Sequence, residues 1–210
     1  MSASPAGTRV LLVRHGQSTW NADARWQGQA DPPLSPLGEQ QALDAARHVD
    51  GVDALWSSDL RRARRTAELM GECLGLAVHV DARVRERHAG EWQGCTRDEI
   101  EERWPGYLAA GRRPPGFEPD EALLERALAA LTALRRDHEG DSVLVVTHGG
   151  IVRTLERHFG DEVGGLLPNL GGRWMAACGD RDGDGDGGRW ALGDRVLLLE
   201  DVAVTRPEQL

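Results

Sequence analysis

The stretch "VLLVRHGQSTWN" (residues 10–21) decides how the rest of the chain can fold. Its first four residues are apolar, and a short run without polar alternation is typical of a strand buried on both faces of a parallel sheet. The run ends at Arg14, His15 and Gly16. Two side chains that are costly to bury therefore stand where the strand leaves the core. The stretch predicts a buried strand whose end carries a polar pair to the edge of a sheet.

A second stretch, "SVLVVTHGG" (residues 142–150), repeats this pattern with His148 followed by two glycines. In open α/β sheets, ligands bind beyond the carboxyl ends of the strands. We therefore expect His15 and His148 at the same rim, where the glycines permit tight turns and close approach of the backbone to a ligand. A single histidine at a strand end is more often structural. The repetition favours a functional site.

Strands alternate with helices along the chain, which is typical of an α/β fold with a mostly parallel sheet. A serine N-cap and a proline at 35–36 predict a helix that runs to about residue 49. Residues 1–210 are interpreted as one domain, with a flexible tail at 1–8 and a flexible loop at 179–189. Further helices are predicted at 60–74, 96–104, 121–137 and about 151–159, and strands at 53–57, 77–80 and around Trp174, Trp190 and "RVLLLE".

Composition limits the classes of function. The formal net charge is −9, which argues against a nucleic-acid partner or an anionic membrane surface. All 25 basic residues are arginines, so lysine Schiff-base and P-loop chemistry are excluded. The three cysteines are widely spaced, which fits neither a disulfide framework nor a zinc site. No apolar run approaches the length of a membrane span, and the N-terminus lacks an apolar signal core, so we expect a reducing cytoplasm.

Two more motifs carry charged residues suited to an anionic ligand. "SSDLRRARRTAE" (residues 57–68) places arginines at the start of a helix, where the helix dipole and a planar guanidinium both favour phosphate oxygens. The alternative, a solvated arginine face, fits most of Arg61, Arg64 and Arg65. "VRERHAGEWQG" (residues 84–94) places Glu86 between arginines and before a Gly/Trp turn. The alternative for Glu86 is a surface salt bridge.

With these four motifs in this order, the sequence resembles the histidine phosphatase superfamily, whose best-known branch is the cofactor-dependent phosphoglycerate mutases. The motif that begins with RHG continues almost without gaps as "RHGQSTWNADARWQGQADPPLSPLGEQQA", and "SSDLRRARRTA" selects Arg62 among the local arginines. The resemblance covers most of residues 9–160. It implies a phosphoglycerate mutase-like fold, which is a three-layer α/β/α sandwich around a mostly parallel sheet.

The resemblance also implies the chemistry. A phosphate monoester carries two negative charges that must be screened before a nucleophile can attack phosphorus. By resemblance, His15 attacks and becomes a phosphohistidine, while Glu86 protonates the leaving oxygen and then activates water. No metal or other cofactor is implied, because arginines supply the positive charge. Arg14, Arg62 and His148 would surround the phosphoryl oxygens, and Ser18, Asn21, Gln27, Gly28 and the backbone of Gly149 would hold the phosphate or the near part of the substrate. For Ser18 and Asn21, helix or turn capping is the alternative.

Three functions stay open at this stage. The mutases carry a longer insertion after Glu86 with a lysine and an arginine pair, whereas this chain has no lysine and only the weakly similar Arg112 and Arg113, which could also be solvated. The sequence therefore favours a metal-independent phosphatase of a small phosphomonoester, with a mutase second and a non-catalytic phosphate-binding module last. "RWQGQAD" and "GEWQG" are similar to actinobacterial glucosyl-3-phosphoglycerate phosphatases, although "GFEPDEAL" departs from their pattern. A homodimer is compatible with the sequence.

Overall fold

Two parallel strands, β1 (Arg9–Arg14) and β4 (Ser142–Thr147), lie side by side at the centre of a six-stranded sheet. The computed structural model describes residues 7–160, 165–178 and 189–200. Within them the other strands are β2 (Ala54–Ser57), β3 (Val78–Val80), β5 (Gly171–Ala177) and β6 (Trp190–Leu197). The strand order is β3-β2-β4-β1-β5-β6. The first four strands of this order run parallel, β5 pairs antiparallel with β1, and β6 pairs antiparallel with β5.

Helices cover both faces of the sheet. They are α1 (Thr19–Ala22), α2 (Pro36–Ala46), α3 (Arg61–Leu74), α4 (Arg97–Arg103), α5 (Asp120–Asp137) and α6 (Gly149–His158). Side chains of β1 alternate between the faces, because successive residues of a strand point in opposite directions. Val10 and Leu12 join a core cluster with α5 and α6, whereas Leu11 and Val13 join a second cluster with α2 and α3. This arrangement confirms the predicted three-layer α/β/α fold.

The structure shifts some of the predicted boundaries. Helix α2 ends at Ala46 and not near residue 49. The amides of residues 47–49 donate to carbonyl oxygens three residues earlier, instead of four as in an α-helix. Helix α6 begins at Gly149, two residues before the predicted start, because His148 is its extended N-cap. Thr8 is buried and its hydroxyl donates to the His138 carbonyl oxygen over 2.8 Å. The other residues of the predicted tail, apart from Gly7, and loop residues 179–188 lie outside the described residues.

A third, smaller apolar cluster lies beside the two main cores. It contains Trp26 and Trp92, whose rings meet edge to face at 5.0 Å between centroids, and it is flanked by Phe117. Two single turns of 3-10 helix, Ala82–Val84 and Gly90–Trp92, frame the segment that carries Glu86. In the described part of the chain, no helix is long and apolar enough to cross a membrane.

Candidate active site

His15 and His148 meet at one rim of the sheet because their strands are neighbours in register. Arg14 of β1 pairs with Thr147 of β4, and the His15 amide donates to the Thr147 carbonyl oxygen over 2.9 Å. The two imidazole centroids lie 5.1 Å apart. The structure thus brings together the ends of the two motifs, which are separated by more than 130 residues in the sequence.

The His15 ring is held in one orientation with one nitrogen available. Its Nδ1 lies 2.7 Å from the Gly16 carbonyl oxygen, which can only accept, so the proton is on Nδ1. Nε2 therefore carries a lone pair and accepts from Nε of Arg62 over 3.2 Å. Burial lowers the pKa of His15 well below 6.5, and the guanidinium groups of Arg62 and Arg14 lower it further. The ring is a neutral imidazole with a nucleophilic Nε2 at neutral pH.

Arg62 lies in the first turn of α3 and is completely buried. Its two terminal nitrogens donate to the carbonyl oxygens of Ala30 and Gly28, each over 2.8 Å. Burial lowers the pKa of Arg62 to about 10, so the group still carries its charge near pH 7. Gly28 has a φ of +54°, and a Cβ there would press on the Ala89 amide nitrogen at 2.6 Å. Only glycine fits this conformation without strain, and in it the Gly28 carbonyl oxygen accepts from Arg62.

Arg14 and His148 complete a ring of positive and donor groups around His15. Arg14 donates from Nη1 to the Leu167 carbonyl oxygen over 2.6 Å, and burial lowers its pKa to about 10. His148 is fully buried, and neither of its ring nitrogens has a partner in the described residues. Burial and the charge of Arg62 lower the pKa of His148 well below 6.5. Unpaired buried nitrogens are costly, so they point to a ligand that supplies the missing partner.

Glu86 reaches the same site from the segment between β3 and α4. Its side chain is 6% exposed, and its two oxygens accept from the amides of Arg87 (2.8 Å) and Gly150 (3.1 Å). The second bond ties Glu86 directly to the first turn of α6. The carboxylate is therefore a buried acceptor within the site, and the alternative of a surface salt bridge does not describe it.

Ser18 and Asn21 cap the short helix α1, as the alternative interpretation of these residues predicted. The Ser18 hydroxyl accepts from the Asn21 amide over 3.0 Å and donates to Oε1 of Gln27 over 2.7 Å. The Asn21 side-chain oxygen accepts in turn from the Ser18 amide. Its Nδ2 atom stays buried without a partner in the described residues, so it keeps a donor for a ligand. Gly149 begins α6 beside the Arg14 side chain.

Sequence reasoning missed several residues that shape the site. The Asn169 side chain donates to the His15 carbonyl oxygen over 2.8 Å from the segment before β5. Arg153, one turn into α6, lines a cleft together with Glu86, Trp26 and Phe117. A basic residue four positions after Gly149 on a predicted helix was the signal that could have found Arg153. Arg112 is exposed and stacks on Tyr107, whereas Arg113 turns inward over the aromatic rings of Trp92 and Phe117.

Comparison with known proteins agrees with this geometry. The model of the histidine phosphatase superfamily (branch 1) matches residues 10–170. The chain belongs to this superfamily. The prediction of a histidine phosphatase that hydrolyses phosphomonoesters is confirmed.

Several relatives of this histidine phosphatase are named for one substrate. The present chain is 35% identical to a glucosyl-3-phosphoglycerate phosphatase of Mycolicibacterium vanbaalenii, with 87% of this chain and 89% of that protein covered. It is 40% identical to a probable phosphoglycerate mutase of Escherichia coli over 67% of this chain and 69% of that one. A mycobacterial glucosyl-3-phosphoglycerate phosphatase solved with VO3 superposes with a TM-score of 0.76 at 32% identity, covering 88% and 96% of the chains.

Proposed function

We propose that this enzyme removes the phosphate from a sugar-linked phosphoglycerate, with glucosyl-3-phosphoglycerate as the first candidate, through a phosphohistidine at His15. One observation carries the mechanism: Nδ1 of His15 is bonded to the Gly16 carbonyl oxygen, and Nε2, which bears the lone pair, accepts from the guanidinium of Arg62. A nucleophile and a cation that screens the substrate's charge are thus next to each other. The names and the overall similarity of the mycobacterial relatives support the substrate.

The reaction runs in two displacements. In the first, Nε2 of His15 forms a bond to phosphorus while the bond from phosphorus to the leaving oxygen breaks, and Glu86 gives that oxygen a proton. In the second, Glu86 takes a proton from water, whose oxygen attacks the phosphohistidine and releases inorganic phosphate. Glu86 must enter the first step protonated, and the product alcohol leaves before the second.

The remaining groups stabilise the charge on the phosphoryl oxygens. When His15 reacts, the Nε–H of Arg62 exchanges its hydrogen bond to His15 for one to a phosphoryl oxygen, and the guanidinium keeps its proton. Arg14 adds a second cation. The single N–H of neutral His148 and Nδ2 of Asn21 supply further donors. Ser18, Gln27 and Gly28 then act mainly by holding these donors, and the Gly149 amide contacts the phosphate at the start of α6.

The test is release of inorganic phosphate from a panel of phosphomonoesters, with chelator present throughout. The panel includes glucosyl-3-phosphoglycerate, 3-phosphoglycerate and p-nitrophenyl phosphate. The His15→Ala variant should lose more than about 10³-fold in kcat, because no other group forms the intermediate. His48→Ala, at an exposed position beyond α2, is the matched control and should keep full activity. Acid quenching followed by mass spectrometry should detect one added phosphoryl group on the peptide that contains His15.

Two outcomes would replace this proposal. Activity that survives in His15→Ala would exclude His15 as the nucleophile. Isomerisation of 3-phosphoglycerate that requires bisphosphoglycerate, without phosphate release, would favour the mutase activity named for the Escherichia coli relative.

We further propose that residues 1–210 act as one domain in the cytoplasm, and that a homodimer is compatible with this function. Cys73, Cys95 and Cys178 are free thiols, which supports a reducing compartment. One sheet with a core on each face supports the single domain.

A further inference from the structure

A groove leads outward from Glu86 along the side of α6. Its inner part is lined by Glu86, Arg87, Phe117 and Arg153. Its outer part is lined by Arg87, Phe117, Arg113 and Arg157, together with the acidic residues Glu118 and Asp120. Because the two parts share Arg87 and Phe117, they form one continuous surface, which we call the arginine groove. A substrate whose phosphate lies at His15 has this groove as its neighbour.

The two outer acids of this groove are already paired, Asp120 with Arg87 and Glu118 with Arg126. Arg153 has no hydrogen bond or ion pair in the described residues, and Nη1 of Arg113 is buried without a partner. Arg157 has only a long bond of 3.5 Å to the Thr154 hydroxyl. Arg87 is the exception, since it pairs with Asp120 over 2.6 Å and donates to the Glu118 carbonyl oxygen.

The pKa values of Arg153 and Arg113 show that burial and neighbouring arginines disfavour their charged forms. Burial lowers the pKa of Arg153. The Glu86 carboxylate raises this pKa in part, and the charges of Arg157 and Arg87 lower it. Burial and then the charge of Arg87 lower the pKa of Arg113, the Asp120 carboxylate raises it, and Arg157 lowers it. Arg153 and Arg157 stand four residues apart on α6, where like charges destabilise a helix. A chain with a net charge of −9 nevertheless gathers Arg113, Arg153 and Arg157 here without a hydrogen-bonded acid in the described residues, which points to an anionic ligand.

We infer that Arg153 and Arg157 of α6, together with Arg113, form a carboxylate subsite that recognises a phosphorylated hydroxy acid. This inference rests on the proposed function and assigns the residues that recognise the carboxylate of its substrate. The planar fork of an arginine matches a carboxylate with two parallel hydrogen bonds. Arg153 shares the inner cleft with Glu86, so the carboxylate binds only a few bonds from the phosphate that is transferred. A phosphomonoester without a carboxylate leaves these arginines unpaired.

The test compares two substrates that differ at one group. 3-Phosphoglycerate has a carboxylate where glycerol 3-phosphate has a hydroxymethyl group, and the rest of the two molecules is the same. The wild-type enzyme should prefer 3-phosphoglycerate in kcat/KM. The Arg153→Gln variant should lose about 10- to 100-fold on 3-phosphoglycerate, as expected for one charge-assisted contact, and change by less than about 3-fold on glycerol 3-phosphate. Arg157→Gln should show a smaller loss of the same kind.

Two variants serve as controls. Arg153→Lys keeps the charge without the planar fork, and it should recover part of the preference for the carboxylate. Arg47→Gln removes an exposed arginine that follows α2 and pairs only with Asp44 in the described residues, so it should leave both substrates unaffected. Thermal unfolding of each variant tests whether a loss comes from the fold.

Three results would overturn the subsite. One is an equal loss on both substrates, which would mean that Arg153 acts on the phosphate or on Glu86. The second is no loss on either substrate in Arg153→Gln and Arg157→Gln. The third concerns binding: calorimetry on the His15→Ala protein should give a lower Kd for 3-phosphoglycerate than for glycerol 3-phosphate, and the difference should vanish when Arg153→Gln is added. Equal Kd values would exclude the subsite. Because binding needs no turnover, this result is separate from failure of the proposed hydrolysis.

Discussion

Glu86 keeps its position because Gly150, the second residue of α6, has no side chain. A Cβ at Gly150 would overlap the Glu86 carboxylate, which is the end of a flexible side chain and can move. We therefore expect Gly150→Ala to displace the carboxylate without unfolding the protein. The kcat for 3-phosphoglycerate should fall by about 10²-fold, the low end of a general acid–base contribution. The loss should be much smaller on p-nitrophenyl phosphate, whose leaving group needs little protonation.

The neighbouring residue offers the matched control. A Cβ at Gly149 would meet Arg14 only at an ordinary 3.7 Å, and the backbone amide would stay. Gly149→Ala should therefore retain kcat within a few-fold on both substrates. If Gly150→Ala loses as much on p-nitrophenyl phosphate as on 3-phosphoglycerate, Glu86 is not the proton donor to the leaving group.

At the scale of whole elements, α5 holds the segment that carries Glu86. The guanidinium of Arg126 donates to the carbonyl oxygens of Arg83, Arg85 and Glu86 and to the carboxylate of Glu118. Arg126→Met would remove the ion pair to Glu118 and the bonds to all three carbonyl groups. The Glu86 carbonyl oxygen would keep its bond from the Gln29 side chain, and the Glu118 carboxylate its bond from the His88 amide. We expect unfolding to become easier by about 3 kcal/mol, as when one partner of a buried pair is removed. A urea titration would measure this loss.

The same helix supplies the comparison for Arg126. Arg136 lies in the last turn of α5 with 76% of its side chain exposed, and it pairs with the neighbouring Asp137. Arg136→Met should leave the free energy of unfolding nearly unchanged, because exposed pairs contribute little. A similar small change in Arg126→Met would mean that the Glu86 segment is held by its other contacts, such as the bond from Thr147 to the Val84 carbonyl oxygen.

Across the whole molecule, the residues that sequence could place are those fixed by strand order and local pattern. His15 and His148 follow buried strands, so the α/β rule brings them to one rim. Identifying Arg62 required the family motif, because helix spacing alone does not distinguish it from the neighbouring Arg61, Arg64 and Arg65. Helix α1, with four residues, is too short to show a helical period. Arg126 and Asn169 contact residues that are 40 and 154 positions away, and no local pattern encodes such contacts.

Burial of two neutral histidines should make the stability of the whole molecule depend on pH. His15 and His148 are 2% and 0% exposed, and burial lowers both pKa values well below 6.5. In the unfolded chain each histidine titrates near 6.5. Below that pH the unfolded state binds more protons than the folded state, so the free energy of unfolding falls as pH falls. Each histidine contributes up to about 1.4 kcal/mol per pH unit until its folded-state pKa is reached.

Urea midpoints at pH 7.0, 6.0 and 5.5 would measure this dependence. Carboxylates contribute to acid destabilisation in every variant, so the informative quantity is the difference between proteins. The His148→Gln variant should lose stability less steeply than the wild type between pH 6.0 and 5.5, because one titrating group is gone. The exposed His48→Ala variant should follow the wild type. Parallel curves for the wild type and His148→Gln would mean that His148 is protonated in the folded protein, and it would then act on the phosphoryl oxygens as a cation.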